Sequence, residues 1–298
     1  MPYVTALPRT SYINSYAPTH NRILGAGSFL WYPMHGSYSA GLSDLPDIVP
    51  VGSGHSGSPW ASPGFYTFPV NNSTAGLGAP HGENNNLDAT LSLEGAVADT
   101  TIVVAMEASF VDHIDAAGSL WFYGVATAAS NIGLSLTVAE VPQMQYRAFG
   151  ATAGTTAPMT PVSGKTFVDM KGQGRFAIVH EIRMTSAIAC TTRVLIGKAG
   201  VGWTGSYTLD VADMLANGGT ALPGRYTDVA DHYGLSIGCR YSGSSVWVQH
   251  WGRGAGNTGR IGTITARKYT TYTTGLAEAV LAAMILRPLD VPEPFLGT

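Results

Sequence analysis

The sequence predicts an all-β protein, an antiparallel sandwich of two sheets that follows an extended N-terminal arm. From about residue 88, apolar and polar residues alternate with a period of two, which is typical of strands with one buried face. Gly-rich turns separate these segments, and few stretches have a helical pattern. Charged residues are 12% of the 298 residues, against about 25% in typical globular proteins, while hydrophobic residues, at 45%, are sufficient for a core.

Residues 1–87 differ in composition from the rest of the chain. They contain 10 of the 17 prolines but only five charged residues, and no period is sustained there. We therefore predict an extended arm at 1–87 and one sandwich domain at 88–298. The arm is expected to lie against its own domain or a neighbouring subunit. Its aromatic residues are the predicted assembly contacts: Phe29, Trp31, Tyr32, Trp60, Phe65 and Tyr66.

The strands of the sandwich domain are predicted from the alternation of apolar and polar residues. Turn-forming pairs such as Ser163-Gly164 and Ser242-Gly243 separate them. The predicted strands are 102–110, 132–138, 143–149, 176–184, 193–197, 233–241, 245–251 and 260–269.

Two further segments pose the choice between helix and strand. A short helix is predicted at 211–217, with Asp210 as N-cap and Gly218 at its end. Residues 276–286 are ambiguous, because their Ala-rich composition favours a helix whereas an apolar run that ends before a proline suits a closing strand. We predict a short turn followed by a strand at 276–286.

The order of the strands carries a resemblance to a known fold family. The segments are GSLWFY at 118–123, NIGLSL at 131–136, RFAIVHEI at 175–182, TRVLIGK at 192–198 and GRIGTITAR at 259–267. Over residues 88–290 this order resembles the concanavalin A-like, laminin G-like jelly roll. The resemblance implies a two-sheet jelly-roll sandwich that often binds sugars. In bacteriophage particles, such domains often serve as decoration, fibre or tail components.

The sequence contains no convincing catalytic constellation. Residues 54–58 come close to a nucleophile elbow, but they end in Ser where the elbow needs Gly, and Pro59 follows where a helix should begin. Retaining glycosidases need two carboxylates about 5 Å apart. Glu107 stands alone on its strand, and Glu181 is expected to form a solvated pair with Arg183. We therefore predict that the chain is not an enzyme.

No cofactor or metal site is predicted either. The stretch 112–115 offers two Asp and one His, but this spacing matches no EF-hand loop and is more typical of a polar turn. His180 lies in an apolar row and is expected to be a hydrogen-bonded core histidine. Cys190 and Cys239 form no close metal-ligand pair, and Cys239 is expected to be a buried free thiol.

The strand at 245–251 carries the one predicted carbohydrate site. Trp247, Gln249 and Trp251 share one face, where flat rings beside an amide can stack on a sugar and bind its hydroxyls. Arg253 can orient an anionic sugar. The alternative, which we favour because period alone does not say which face meets solvent, is that this face is the inner one and that both rings fill the core.

Two functions follow from these observations. The first is a structural component of a bacteriophage virion, such as a capsid decoration, fibre or tail-associated protein. Its arm would contact other virion proteins or further copies of the chain in a homo-oligomer. The alternative is a lectin-like, carbohydrate-binding module for adsorption to a host surface. A net charge of −3 argues against a nucleic-acid partner, and the longest apolar run, 279–286, is too short to span a membrane.

Overall fold

The structure is a computed structural model of the chain. The residues that it describes are 30–32, 49–52, 66–67, 75–80, 90–109, 120–126, 130–137, 139–198, 203–223, 233–242, 245–248 and 260–286. They form two large antiparallel sheets that pack face to face as a sandwich. The predicted all-β sandwich is therefore confirmed.

The first sheet has eight strands. In spatial order they are β1 (Leu30–Tyr32), β17 (Arg260–Tyr269), β5 (Thr101–Ser109), β11 (Phe176–Met184), β12 (Cys190–Lys198), β13 (Trp203–Val211) and β10 (Thr160–Gly164), and β3 (Tyr66–Thr67) also pairs with β17.

The second sheet has seven strands. Its order is β2 (Val49–Gly52), β4 (Ala75–Pro80), β14 (Tyr233–Ile237), β6 (Leu120–Ala126), β7 (Asn131–Leu136), β8 (Pro142–Arg147) and β9 (Thr155–Pro158). A two-stranded ribbon joins β15 (Cys239–Ser242) to β16 (Ser245–Val248). Two helices are described, α1 (Phe167–Met170) and α2 (Leu276–Leu286). Neither has the length and apolar character needed to cross a bilayer.

The segment predicted as an arm contributes strands to both sheets. Strands β1 and β3 pair with β17, and β4 pairs with β14 and with β2. These parts of 1–87 therefore lie against the sandwich domain of the same chain. Trp31 and Tyr32 belong to β1 and Tyr66 to β3, whereas Phe29, Trp60 and Phe65 lie outside the described residues. The domain boundary and the assembly contacts stay predictions.

The sandwich core is built by the inward residues of each strand. On β5 these are Ile102, Val104 and Met106, which alternate with residues of the opposite face, as the period of two predicts. Phe167 of α1 packs in this core, with ring centroids 5.5 Å from Phe122 and 6.2 Å from Phe176. Burial of such aromatic side chains contributes strongly to stability.

Helix α2 covers the outer face of the first sheet. Its buried residues Ala277, Val280, Leu281 and Met284 pack against the outward residues of the sheet, which are Val103, Ala105, Ala177, Val179 and Leu195. The strand predicted at 276–286 is thus wrong. The four buried positions are spaced three, four and seven residues from the first, which is one face of a helix. An apolar outer face on the central strands requires such a cover.

The helix predicted at 211–217 is also wrong. Strand β13 continues to Val211, and Asp210 lies on that strand, where its carboxylate accepts a hydrogen bond from Thr191 Oγ1 at 2.7 Å. Only a turn follows, in which the carboxylate of Asp213 accepts from the Leu215 N–H at 2.8 Å. Asn217 then has a φ of 65° and ends the turn before a helix can extend.

The remaining predicted strands agree well with the structure. The segments 176–184 and 260–269 match β11 and β17 residue for residue. The strand predicted at 233–241 divides into β14 and β15 at Gly238, which has a φ of 68°. Strands β9, β10 and β13 fall outside every predicted strand, and β13 is central to the site described next.

Candidate functional site

An open groove lies on the outer face of the first sheet, between helix α2 and the strands β12, β13 and β10 at the sheet edge. Its volume is about 530 Å³, which is in the range of sites for small molecules, roughly 300 to 1,000 Å³. The groove is lined by Val162, Ser163, Arg193, Leu195, Thr204, Gly205, Ser206, Tyr207, Thr208, Glu278, Leu281, Ala282 and Ile285.

One side of the groove carries a row of hydroxyl groups. Thr204, Ser206 and Thr208 occupy alternate positions of β13 and so project from one face of the sheet. Ser163 joins them from β10, and its Oγ lies 2.9 Å from the Oγ of Ser206. Four side chains that can each donate and accept hydrogen bonds therefore line this side.

The opposite side of the groove is aliphatic. Leu281, Ala282 and Ile285 of α2 lie along it, and Leu195 of β12 lies beneath them. Val162, which is 61% exposed, adds an apolar side chain at the edge strand. A ligand in the groove therefore meets polar groups on one side and apolar groups on the other.

A pair of glycines sets how closely the two edge strands approach beneath the hydroxyl row. Gly164 has a φ of +75°, and a Cβ at this position would overlap the backbone carbonyl of Thr204. A Cβ at Gly205 would likewise overlap the backbone carbonyl of Lys165. Only glycine permits this contact, which brings Ser163 of β10 beside Ser206 of β13.

One end of the groove holds a cluster of three charged side chains, Glu181, Arg193 and Glu278. Arg193 Nε donates to Glu181 Oε1 at 2.8 Å, and Arg193 Nη1 donates to Glu278 Oε1 at 2.7 Å. The side chain of Glu181 is 3% exposed, that of Arg193 26% and that of Glu278 50%. The cluster therefore runs from the buried outer face of β11 to the solvent at α2.

The charges in this cluster stabilise one another. Burial opposes the charge of Arg193, yet its hydrogen bonds to Glu181 and Glu278 raise the pKa of the guanidinium above its ordinary value. Partial burial also works against the charged form of Glu278, but the hydrogen bonds and charge of Arg193 outweigh it and lower the pKa of this carboxyl. Arg193 and Glu278 are thus held in their charged forms near neutral pH.

The solvated pair predicted between Glu181 and Arg183 is wrong. Glu181 lies directly opposite Arg193 in the pairing of β11 with β12, and it is buried, with 2% of its surface exposed. Arg183 instead binds Asp99, with 2.6 Å between Nη2 and Oδ1. The cross-strand neighbour is closer than the residue two positions along the same strand, which the sequence alone does not reveal.

His180 confirms its predicted place in the core. It is 1% exposed, its Nδ1 lies 2.7 Å from the Tyr123 hydroxyl, and its Nε2 lies 2.7 Å from Thr192 Oγ1. Thr192 donates its single proton to the Glu181 carbonyl, so His180 Nε2 carries the ring proton and Nδ1 accepts from Tyr123. Burial lowers the pKa of His180 to about 3, so the ring is neutral.

The carbohydrate site predicted from the sequence does not coincide with the groove. Trp247 belongs to β16, but the structure describes only its backbone, and Gln249, Trp251 and Arg253 lie outside the described residues, as do 112–115. None of the predicted strands covers β13, so the groove is not predicted from the sequence. The alternation of Thr204, Ser206 and Thr208 with Tyr207, Leu209 and Val211 was the available signal.

Glu107 is the single carboxylate on β5, as the sequence indicates. It is 2% exposed and binds Arg175, with 3.1 Å between Oε2 and Nη2. It is not one of the residues that line the groove.

No protein-family model matches the sequence, and a search of curated proteins gives no significant match. Among solved structures, the chain is similar to botulinum neurotoxin type C, whose cell entry is described as dependent on interaction with two ganglioside molecules. The TM-score is 0.50 at 7% identity, over 93% of this chain and 53% of the other. This chain thus spans about half the length of that structure.

Two further similar structures contain sialic acid compounds. The Ruminococcus gnavus IT-sialidase CBM40 bound to α2,3 sialyllactose gives a TM-score of 0.38 at 11% identity, over 63% of this chain and 84% of the other. The leech intramolecular trans-sialidase complexed with 2,7-anhydro-Neu5Ac gives 0.37 at 11% identity, over 61% of this chain and 23% of the other. The likeness to botulinum neurotoxin type C, at 7% identity and a TM-score of 0.50, shows the fold alone, a β-sandwich.

Proposed function

We propose that the chain is a carbohydrate-binding, lectin-like module and that the groove beside α2 holds the sugar. One observation carries this proposal: four hydroxyl-bearing side chains lie opposite an aliphatic wall in a groove of about 530 Å³. A sugar ring presents hydroxyls at its edge and C–H groups on its faces. Both sets of groups find matching partners in this groove.

The contacts available to a sugar are of two kinds. Ser163 and Ser206 can donate to and accept from the sugar hydroxyls, whereas Thr208, which donates its proton to the Thr192 carbonyl, and the half-exposed carboxylate of Glu278 can accept from them. Leu281 and Ile285 can pack on the C–H face of the ring. Net contributions of about 1 kcal/mol per hydrogen bond suggest affinities between micromolar and millimolar.

The comparison with solved structures supports this proposal by analogy of fold. Botulinum neurotoxin type C has a similar fold and depends on gangliosides for cell entry, so a sandwich of this type is compatible with glycan recognition. The analogy does not select a site. The position of the site rests on the groove of this chain.

The structural role in a bacteriophage virion stays a prediction, together with the homo-oligomer and the assembly contacts of 1–87. A glycan-binding module can serve host adsorption within a particle, so the two functions are compatible. The absence of enzymatic activity also stays a prediction.

The predicted homo-oligomer is tested by measuring the mass of the protein in solution by light scattering. A mass equal to that of the monomer at all concentrations contradicts the prediction.

The proposed function is tested by titrating the protein with a panel of mono- and disaccharides, using calorimetry or ligand-observed NMR. Removing two groove hydroxyls in the double variant Ser163→Ala/Ser206→Ala should weaken binding about tenfold or more, since two hydrogen bonds are lost. The control is Thr156→Ala, which removes an exposed hydroxyl from β9 at the edge of the other sheet. The proposal is contradicted if no sugar binds, or if both variants bind like the wild type.

A further inference from the structure

We infer that the groove selects uncharged sugars and disfavours acidic sugars such as sialic acids and uronic acids. This inference deepens the proposed function and rests on it. It follows from the charges at one end of the groove and from the way in which Arg193 is held there.

A ligand in the groove meets two charged side chains, Arg193 and Glu278. Arg193 is the only cationic side chain among the described residues that line the groove, and Glu278 is the only anionic one. Glu181 lies directly behind Arg193 and is bound to it, so the cluster carries one positive and two negative charges. A sugar carboxylate that approaches this end of the groove therefore meets a net negative charge.

An acidic sugar would need a guanidinium group with free N–H donors. Proteins bind carboxylates best through an Arg that offers two parallel N–H donors. In this chain, Nη1 and Nη2 of Arg193 already face the two oxygens of Glu278, at 2.7 Å and 3.4 Å. Nε donates to Glu181 at 2.8 Å, and Nη2 lies 2.8 Å from the same Glu181 oxygen. The fork of Arg193 is thus occupied within the chain.

Releasing Arg193 from Glu181 would be energetically costly. Glu181 is buried, and its second oxygen, Oε2, has no hydrogen-bond partner among the described residues. If Arg193 turned towards a ligand, Glu181 would lose its counter-charge in a buried position, which is strongly unfavourable. Arg193 is therefore kept in place by Glu181, and an acidic ligand cannot recruit it without this loss.

The cluster also offers a sugar hydroxyl one hydrogen-bond acceptor, the carboxylate of Glu278. Glu278 is half exposed at the mouth of the groove, and its Oε2 contact with Arg193 is long at 3.4 Å. This oxygen can accept a hydrogen bond from a sugar hydroxyl. The same oxygen repels a carboxylate. The cluster thus favours neutral sugars and disfavours acidic ones through one and the same group.

The test compares two matched pairs in which a carboxylate replaces a hydroxymethyl group, galactose with galacturonic acid and glucose with glucuronic acid, and a third pair, lactose with 3′-sialyllactose, in which a whole acidic sugar is added. Affinities are measured by calorimetry or ligand-observed NMR at low salt, where charge effects are strongest. In every pair that binds, we expect the neutral sugar to bind at least about fivefold more tightly. An acidic sugar that binds as tightly as its neutral partner overturns the inference and leaves the proposed function intact.

Two variants locate the effect. Glu278→Gln removes the exposed carboxylate and frees part of the Arg193 fork, so it should reduce the preference for neutral sugars at least about threefold. The control Asp99→Asn neutralises a second Arg–carboxylate contact, with Arg183, outside the groove, and should leave the preference unchanged. An equal effect of both variants, or none in Glu278→Gln, overturns the inference. Failure of every sugar to bind overturns the proposed function itself.

Discussion

The two faces of strands β11 and β12 carry polar clusters of opposite character. On the inner face, His180 forms neutral hydrogen bonds with Thr192 and with Tyr123. On the outer face, the next residues along the same strands, Glu181 and Arg193, form an ionic cluster with Glu278. Residues that are neighbours in sequence therefore lie in different electrostatic environments, because side chains alternate across a sheet.

The difference follows from what lies on each face. The inner cluster is enclosed by the sandwich core, where a charged group is costly, and burial keeps His180 neutral. The outer cluster ends at the groove, where Glu278 reaches solvent. The chain thus keeps hydrogen bonds without charge in its core and places charge where a ligand can meet it.

The largest expected effect comes from breaking the outer cluster at Arg193. Arg193→Met leaves Glu181 buried without its counter-charge, and we expect the free energy of unfolding to fall by about 3 to 5 kcal/mol. Urea denaturation measures it. The double variant Arg193→Met/Glu181→Leu should recover most of the loss, because the uncompensated charge is removed. A single-variant loss below about 1 kcal/mol would contradict the importance of the pair.

Acid should affect the two clusters in different pH ranges. Unfolding allows His180 to bind a proton below its ordinary pKa of 6.5, whereas in the folded protein its pKa is about 3. Stability should therefore fall as pH drops below 6.5, by about 2 to 3 kcal/mol between pH 6 and pH 4. The neutral Tyr123 that faces His180 does not titrate in this range, since burial raises its pKa.

The outer cluster responds only at lower pH. The pKa of Glu278 is lowered in the folded protein, so its contribution is complete above the ordinary pKa of 4.5 and is lost as pH falls through the lower folded value. Denaturation curves at pH 6, 5 and 4 separate the two effects. The dependence between pH 6 and pH 5 should disappear in the double variant His180→Leu/Tyr123→Phe, and its persistence there would contradict the assignment to His180.

Disrupting the inner cluster should lower the free energy of unfolding less than disrupting the outer cluster. His180→Leu leaves the Tyr123 hydroxyl buried without a partner, whereas Thr192 still donates to the Glu181 carbonyl. The expected loss is about 1 to 3 kcal/mol near neutral pH, measured by urea denaturation. Removing the orphaned hydroxyl as well, in His180→Leu/Tyr123→Phe, should restore part of it. No recovery in the double variant would show that packing, and not the hydrogen bond, sets the cost.

The smallest expected effect on stability is at the exposed end of the outer cluster. Glu278→Gln removes a half-exposed charge from α2, and pairs that face solvent contribute about 1 kcal/mol or less. Its thermal midpoint should therefore lie within a few degrees of the wild type. A loss as large as that of Arg193→Met would mean that Glu278, and not Glu181, is the main partner of Arg193.

The sequence predicts those parts of the fold that depend on local alternation. The predicted bounds of β11 and β17 match the observed strands, because alternate residues such as Ile178 and Ile182 of β11 and Ile264 of β17 are apolar and pack in the sandwich core. Residues 276–286 form helix α2 and not the predicted strand. The helix is stabilised by packing on the apolar outer face of the first sheet, which residues far away in the sequence contribute. Local composition alone does not show which sheet face requires a cover.

The candidate site likewise depends on contacts between residues that are far apart in the sequence. The contact of Arg193 with Glu278 joins residues 85 positions apart, and the hydroxyl row needs β10 to lie beside β13. Neither pairing has a local signal. The hydroxyl row itself was visible as an alternation at Thr204, Ser206 and Thr208, but nothing in the sequence opposed it to the aliphatic side of α2.

The most direct test of carbohydrate binding in the groove uses two alanines of the same helix. Ala282 and Ala279 are both exposed on α2, but only Ala282 lines the groove. Ala282→Trp should fill the groove, and Ala279→Trp should add the same ring outside it. Titration with the best-binding neutral sugar should show binding lost by at least about tenfold in Ala282→Trp and kept in Ala279→Trp. Equal binding by both variants would contradict the assignment of the sugar site to this groove.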